Sequence, residues 1–177
     1  QGQTSWFGHY AGAAAAWNGL VVFAPHNANN VGVFDPSATA FSRVSTTAVI
    51  SGNTKYDGAA TASNGLVVFA PHSANSVGVF NATSRVFSIV DISATISSDK
   101  KYAGAASTAD GLVVFAPSDA DSVGVFNATS LTFIAVDISA TISSGDKYFG
   151  AATAADGLVV FAPHSAHSVG LYDPISR

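Results

Sequence analysis

The stretch GLVVFAP occurs four times, at positions 19–25, 65–71, 111–117 and 157–163, always with a step of 46 residues. The same step relates Tyr10, Tyr56, Tyr102 and Tyr148, and it relates Gly12, Gly58, Gly104 and Gly150. Gly32, Gly78, Gly124 and Gly170 follow it too, with no insertion anywhere. Independent domains drift in length, whereas units that must stack on one another keep one step, so this periodicity predicts a stacked or circular array.

Within a unit the apolar residues come in short bursts bounded by Gly, Pro, Asn and Asp, which is the pattern of strands rather than helices. The first strand is small and apolar, as in YAGAAST at 102–108, and the second is LVVFA closed by proline. VGVF or VGLY forms the third, and a segment such as FSIVDI at 87–92 the fourth. Asn18-Gly19, Asn64-Gly65, Asp110-Gly111 and Asp156-Gly157 separate the first two strands, and such dipeptides predict two-residue type I′ hairpins. Four antiparallel strands per unit predict an all-β propeller with its first strands lining the channel, where only small side chains fit. The phenylalanines of GLVVFAP, with Phe34, Phe80, Phe126 and Tyr172, are then packing residues between blades.

These units resemble kelch repeats over nearly the whole chain. The resemblance rests on the small-residue first strand and on the Gly that opens the second (Gly19, Gly65, Gly111, Gly157). It rests also on an aromatic-acid pair ending the third strand, Phe34-Asp35 and Tyr172-Asp173, which becomes Phe80-Asn81 and Phe126-Asn127 in the middle units. A further aromatic follows at Phe41, Phe87 and Phe133. Ala-Pro replaces the double glycine of kelch and Phe its usual Trp, so the likeness is to a divergent, kelch-like member. The texture is also similar to that of repeat proteins from single-celled algae. The resemblance implies a propeller with its 2–3 loops and its inter-blade loops on one face, and it implies no particular activity.

The reading is of one repeat domain over 1–177, with an N-terminal segment 1–8 and blades at 9–54, 55–100, 101–146 and a partial 147–177. The last unit ends after VGLYDPISR without its fourth strand. Thr4–Phe7 (TSWF) could complete it only by shortening the connection that follows. A tight four-bladed ring, a piece of a larger propeller, and an open blade completed by another molecule are the three possibilities. The expectation favours the last two, with self-association through the incomplete fourth blade.

Composition bounds the partners. Seven Lys and Arg are scattered through a chain of net charge −4, which lacks the basic stripe of a nucleic-acid binder. No apolar run reaches the roughly 20 residues of a membrane helix. Without cysteine there are no disulfides or thiolate metal sites. Only 10% of residues are charged, against about 25% in an average domain. Such a surface leaves room for self-association or a coat of sugar, and it equally fits a small, mildly acidic domain with few charges.

One loop face collects the binding candidates: His26, His72 and His164, with Ser118 at the same position in the third unit. Three positions on come Asn29, Asn75, Asp121 and His167, and nearby Lys55, Lys101 and Lys147, with His9 in their register. Histidines on separate blades are expected to diverge from the axis, and Asp119 with Asp121 falls far short of calcium's six to eight oxygens. No metal or cofactor is expected. Asn81 and Asn127 begin N-glycosylation sequons in exposed turns, where a turn former is wanted in any case. Near-identical blades repeat one side chain rather than assembling different ones. The residues that break the symmetry, among them Trp6, Trp17, Arg43, Asp57, Arg85, Asp119 and His167, show no cluster in the sequence. The expected function is a non-enzymatic structural or binding scaffold that contacts protein or carbohydrate, in a secreted or extracellular assembly. The alternatives are a carbohydrate-active or metal-assisted enzyme or a lectin on the loop face, and a cytoplasmic location.

Overall fold

The computed structural model describes residues 8–176. Thr4–Phe7, considered above as a substitute strand, and Trp6 within it lie outside the described residues. Four antiparallel sheets follow one another, each a meander in chain order. Blade 1 comprises β1 (Tyr10–Ala15), β2 (Val21–Pro25), β3 (Asn30–Asp35) and β4 (Ala40–Ser45). Blade 2 comprises β5 (Tyr56–Thr61), β6 (Leu66–Pro71), β7 (Ser76–Asn81) and β8 (Val86–Asp91). Blade 3 comprises β9 (Tyr102–Ser107), β10 (Leu112–Pro117), β11 (Ser122–Asn127) and β12 (Thr132–Asp137). Blade 4 has three strands among the described residues, β13 (Tyr148–Thr153), β14 (Val159–Pro163) and β15 (Gly170–Tyr172). The chain is therefore an all-β set of four propeller blades.

The inner strands come together through glycine. A Cβ placed on Gly12 would lie 2.6 Å from the Gly58 Cα, one on Gly58 2.6 Å from the Gly104 Cα, and one on Gly104 2.6 Å from the Gly150 Cα. All four have positive φ, from 79° at Gly12 to 125° at Gly150. Each sits in a β-bulge that shifts the register between the first two strands of its blade. The bulge turns backbone toward backbone, and only a residue without a side chain permits that approach. Packing thus runs β1 on β5, β5 on β9 and β9 on β13, whereas β1 and β13 are not packed together in this way. Four blades form an arc.

Between blades, one face is aromatic and the other aliphatic. Tyr56, Phe69, Phe80 and Phe87 of blade 2 pack on Val22, Ala24, Val31 and Val33 of blade 1 in one buried cluster. Tyr102, Phe115 and Phe126 of blade 3 meet Val68, Ala70, Val77 and Val79 in the same manner. Tyr148, Phe161 and Tyr172 of blade 4 meet Val114, Ala116, Val123 and Val125. The tyrosine and two phenylalanines of a complete blade form a triad with centroids about 6 Å apart, such as Tyr56–Phe69 at 5.9 Å and Tyr56–Phe87 at 6.3 Å. Gly78 and its repeats lie under the tyrosine ring and leave it room.

The hairpins after the first strands occur where the Asn-Gly and Asp-Gly dipeptides place them, but their turn type differs from the expectation. Gly19 N–H donates to Ala16 O at 3.0 Å, and Ala16 N–H to Leu20 O at 2.8 Å. The loop is three residues long, and of its residues only the glycine has positive φ. Three-residue loops end in this way, with a left-handed glycine bulge. The preceding Asn is thereby free for another task. Asn18 Nδ2 donates to Ala82 O of the next blade at 3.2 Å, and Asn64 Nδ2 to Ala128 O at 2.8 Å.

The turns between third and fourth strands put Thr39, Arg85 and Leu131 in the left-handed region, with φ of 51°, 57° and 55°. A side chain there costs about 1–2 kcal/mol, against roughly 0.5–1 kcal/mol for the extra chain entropy of glycine. Leu131→Gly is therefore expected to raise stability by about 0.5 kcal/mol, read as a higher Tm. Gly104→Ala should lower it by on the order of 3 kcal/mol or more, because a methyl meets backbone that has no way to withdraw. Equilibrium unfolding in urea checks both.

Candidate functional site

The blade geometry brings the 2–3 loops and the inter-blade loops to one face, and what lies there divides into pins, a cluster and a cavity. The pins are the lysines. Lys55, Lys101 and Lys147 are buried, at 2%, 0% and 0% exposure, beneath the 2–3 loop of the preceding blade. Lys55 Nζ donates to the carbonyls of His26 (3.2 Å) and Gly52 and to Asn29 Oδ1 at 3.4 Å. Lys101 Nζ donates to Asn75 Oδ1 at 3.3 Å and Ser98 O at 2.6 Å. Lys147 Nζ donates to Ser144 O at 2.5 Å and forms an ion pair with Asp121 Oδ1 at 3.2 Å. Burial pushes the Lys55 and Lys101 pKa values down. Each ammonium ties an inter-blade loop to the loop before it, and Asn29, Asn75 and Asp121 serve as its acceptors while keeping an exposed edge.

The cluster breaks the symmetry of the repeat. The rings of His26 and His72 lie 5.8 Å apart and edge to face, so they converge where divergence was expected. The reason is that each 2–3 loop begins at the end of the second strand, still near the channel where the blades crowd together. Asp57, at the position held by Ala11, Ala103 and Phe149 in the other units, is buried near enough for both imidazoles to act on its charge. Burial raises its pKa, and the two imidazoles counter this. Burial lowers the His72 pKa, and the Asp57 carboxylate is the main opposing influence. His26 Nδ1 lies 3.1 Å from Tyr56 O. Among the described residues no group of three or more His, Cys, Asp or Glu is placed to hold a metal. His164 and His167 on blade 4 are exposed, with the His164 ring 5.7 Å from Phe149. Ser118 is buried, its carbonyl accepting from Lys147.

The cavity, of about 600 Å³, lies at the blade 1 end of the same face. His9, Tyr10, Asn29, Asn30, Arg43 and Asn53 line it, and Asn27 completes its wall. Three of these positions are special to blade 1: Arg43 stands where Ile89 and Ala135 stand, Asn30 where Ser76 and Ser122 stand, and His9 in the lysine register. Tyr10 donates to Asn30 Oδ1, and Arg43 lies over the Phe41 ring at 5.5 Å from its centroid. Burial raises the Tyr10 pKa, and the neighbouring Arg43 opposes it. Asn27 holds the rim, donating to Gly8 O at 3.0 Å and accepting from Thr54 N–H at 2.8 Å. Arg43 is legible in the sequence as a departure from the repeat. Its company was not, because His9, Asn30 and Asn53 come from three different segments.

Asn81 is exposed and Asn127 half-buried, each in a 3–4 turn whose backbone its side-chain oxygen caps, at 3.0 Å from Thr83 N and 2.9 Å from Thr129 N. Asp35 does the same at 2.9 Å from Ser37 N.

Fold and site together define a β-propeller segment with a polar cavity at one end of its loop face. No protein-family model and no curated protein matches the sequence. Its structure is similar to a streptogramin B lyase, with a TM-score of 0.75 and 18% identity over 98% of this chain and 54% of that one. It is similar also to virginiamycin B lyase from Staphylococcus aureus (TM-score 0.71, 13% identity, 97% of this chain and 57% of that chain). A third similar structure is the extracellular domain of a hybrid two-component system from Bacteroides thetaiotaomicron. Its TM-score is 0.69 and its identity 13%, over 97% of this chain and 22% of that one. At these identities the likeness is one of fold, and the chain spans about half the length of the first two.

Asp57→Asn removes the charge that supports the His72 imidazolium, so the His72 titration midpoint is expected to fall further. NMR titration of the His72 imidazole protons reads it directly.

Proposed function

We propose that this protein is a non-enzymatic binding scaffold that takes carbohydrate in the blade 1 cavity, within a secreted or extracellular assembly. One observation carries the reading: the cavity is lined by amides, a guanidinium, an imidazole and a phenol, with no carboxylate among them. Sugar hydroxyls are both donors and acceptors, and Asn, Arg and Tyr meet them in both senses. Glycoside hydrolysis ordinarily needs a pair of carboxylates flanking the bond, which this lining does not offer. The size lies within the range of small-ligand sites, and the charge-poor surface suits an uncharged ligand.

The extracellular domains among the structural neighbours support an outside location for the scaffold. On that reading Asn81 and Asn127 are glycosylated, since each caps its turn through the side-chain oxygen rather than through the amide nitrogen that carries a sugar. The repeat itself is read as divergent kelch kin, on the glycine and aromatic positions set out above.

Retention on a panel of immobilised neutral glycans tests the function. The wild-type protein should be retained, Arg43→Ala should bind at least about 10-fold more weakly, and Asp57→Asn should bind as wild type. A wild type that ignores every glycan, an Arg43→Ala variant that binds equally well, or release of a cleaved product overturns the proposal.

A further inference from the structure

The 2–3 loops of blades 1 and 2 each present an imidazole to the segment that joins the two blades. His26 Nδ1 donates to the Tyr56 carbonyl at 3.1 Å, and the His72 ring is hydrogen-bonded to the Thr54 carbonyl. Main chain from both loops meets the same segment, with Lys55 N–H donating to His26 O at 3.0 Å and His72 N–H to Lys55 O at 2.9 Å. Thr54 stands in the left-handed region at φ 52°, where a β-branched residue is strained. What grips the segment therefore holds it in an unfavourable shape. The segment also supports the cavity. Thr54 N–H donates to Asn27 Oδ1 at 2.8 Å and Gly52 N–H to Asn29 Oδ1 at 3.1 Å, and Asn27, Asn29 and the adjoining Asn53 line the blade 1 cavity.

Among the described residues this arrangement occurs once. Ser118 takes the histidine position in blade 3, so the junctions on either side of it have one imidazole each. His26 and His72 are the adjacent pair, both half-buried, their rings 5.8 Å apart. The titratable and charged groups around them are Asp57 on β5, Lys55 before it, Lys100 and Lys101 in the connection to blade 3, and His9 ahead of β1. Asp57 is the single carboxylate of that set.

We propose that His26 and His72 form an acid-sensitive clasp on the segment 54–57, closed while the imidazoles are neutral and opened when both are protonated, so that acid loosens the wall of the blade 1 cavity. The link to the cavity rests on the carbohydrate reading above, whereas the clasp itself does not. A neutral imidazole needs one acceptor for its N–H, and each ring has a carbonyl. A first added proton is matched by the Asp57 carboxylate. A second sets two like charges 5.8 Å apart in a half-buried site beside Lys55 and Lys100, with no further carboxylate to offset it. Strain at Thr54 then favours release. Burial holds the His72 pKa below its ordinary 6.5 against the influence of Asp57, with His26 and Lys100 acting in the same sense as burial. The unfolded chain therefore takes up that proton first, and stability falls as the pH drops below 6.5. Asp57, raised by burial above its ordinary 3.8, takes up its proton first in the folded state and offsets part of the loss at lower pH.

Amide hydrogen exchange followed by NMR tests the clasp without any ligand, at about pH 7.5 and about pH 5.5, either side of the histidine range. After correction for the intrinsic pH dependence, protection of the Thr54 and Lys55 amides should fall at least about 10-fold on acidification, from the repulsion of two imidazoliums at this spacing. The Lys147 amide, bonded to Ser118 O at 3.0 Å in a junction with one imidazole, should keep its protection. The double variant His26→Gln/His72→Gln should hold the Thr54 and Lys55 amides closed at both pH values, since a glutamine amide donates to the same carbonyls without titrating. His26→Gln alone, which leaves a single imidazole, should do the same. Unchanged protection in the wild type, or an equal fall in both variants, overturns the clasp. Retention on neutral glycans should weaken with acid more in the wild type than in the double variant, the cavity residue His9 being common to both. An equal loss in the two overturns the link to the cavity. A protein that binds no glycan at either pH tells against the binding proposal, and the exchange result still decides the clasp.

Discussion

Everything in this molecule depends on the approach of one inner strand to the next at Gly12, Gly58, Gly104 and Gly150. A Cβ at the first three would sit 2.6 Å from a neighbouring backbone atom, so the distance between blades at the channel is set by the absence of a side chain. Once the inner strands are that close, the sheets must splay outward. The widening gap is filled by graded side chains, alanine near the channel and Val, Tyr and Phe further out. The bulge that gives these glycines their positive φ is the same device in all four blades, which is why the arc is regular.

The repeat solves a second problem, that of polar loops crowded at the narrow end of wedge-shaped blades. Backbone carbonyls of the 2–3 loops face the next blade and need donors. Lys55 and Lys147, folded under the loops of the first and third blades, supply them, and Lys101 reaches the Asn75 side chain of the second, three donors on one flexible stem. Burying an ammonium is costly unless it is hydrogen-bonded, and two to four oxygens lie around each Nζ. These three cations are thereby withdrawn from the surface.

Function, on this account, lives where the repeat is broken. Duplication copies packing faithfully because each interface must match the next, but a ligand needs different groups converging on one point. The departures Asp57 and Arg43 looked scattered along the chain. In space Asp57 comes within electrostatic reach of the adjacent imidazoles of His26 and His72, and Arg43 joins His9, Asn30 and Asn53 at the end of blade 1. Sequence distance hid both groupings, since the partners lie on segments that only the blade-to-blade stacking brings together.

The 46-residue step, the Gly-Ala-Ala first strands and the Asn-Gly and Asp-Gly hairpins were enough to write down a propeller and to place its packing residues, because these features are local or strictly periodic. Tertiary structure alone decided the rest. It showed that Lys55, Lys101 and Lys147 turn inward, a matter of which carbonyls lie within reach of a side chain from another blade. It replaced the two-residue turns by three-residue loops, alike at asparagine and aspartate, in which the left-handed glycine closes the hairpin. Above all it decided that four blades make an arc with one aromatic and one aliphatic face uncovered. Identical letters at four positions cannot say which copies have neighbours; only the angle between blades, summed around the channel, does.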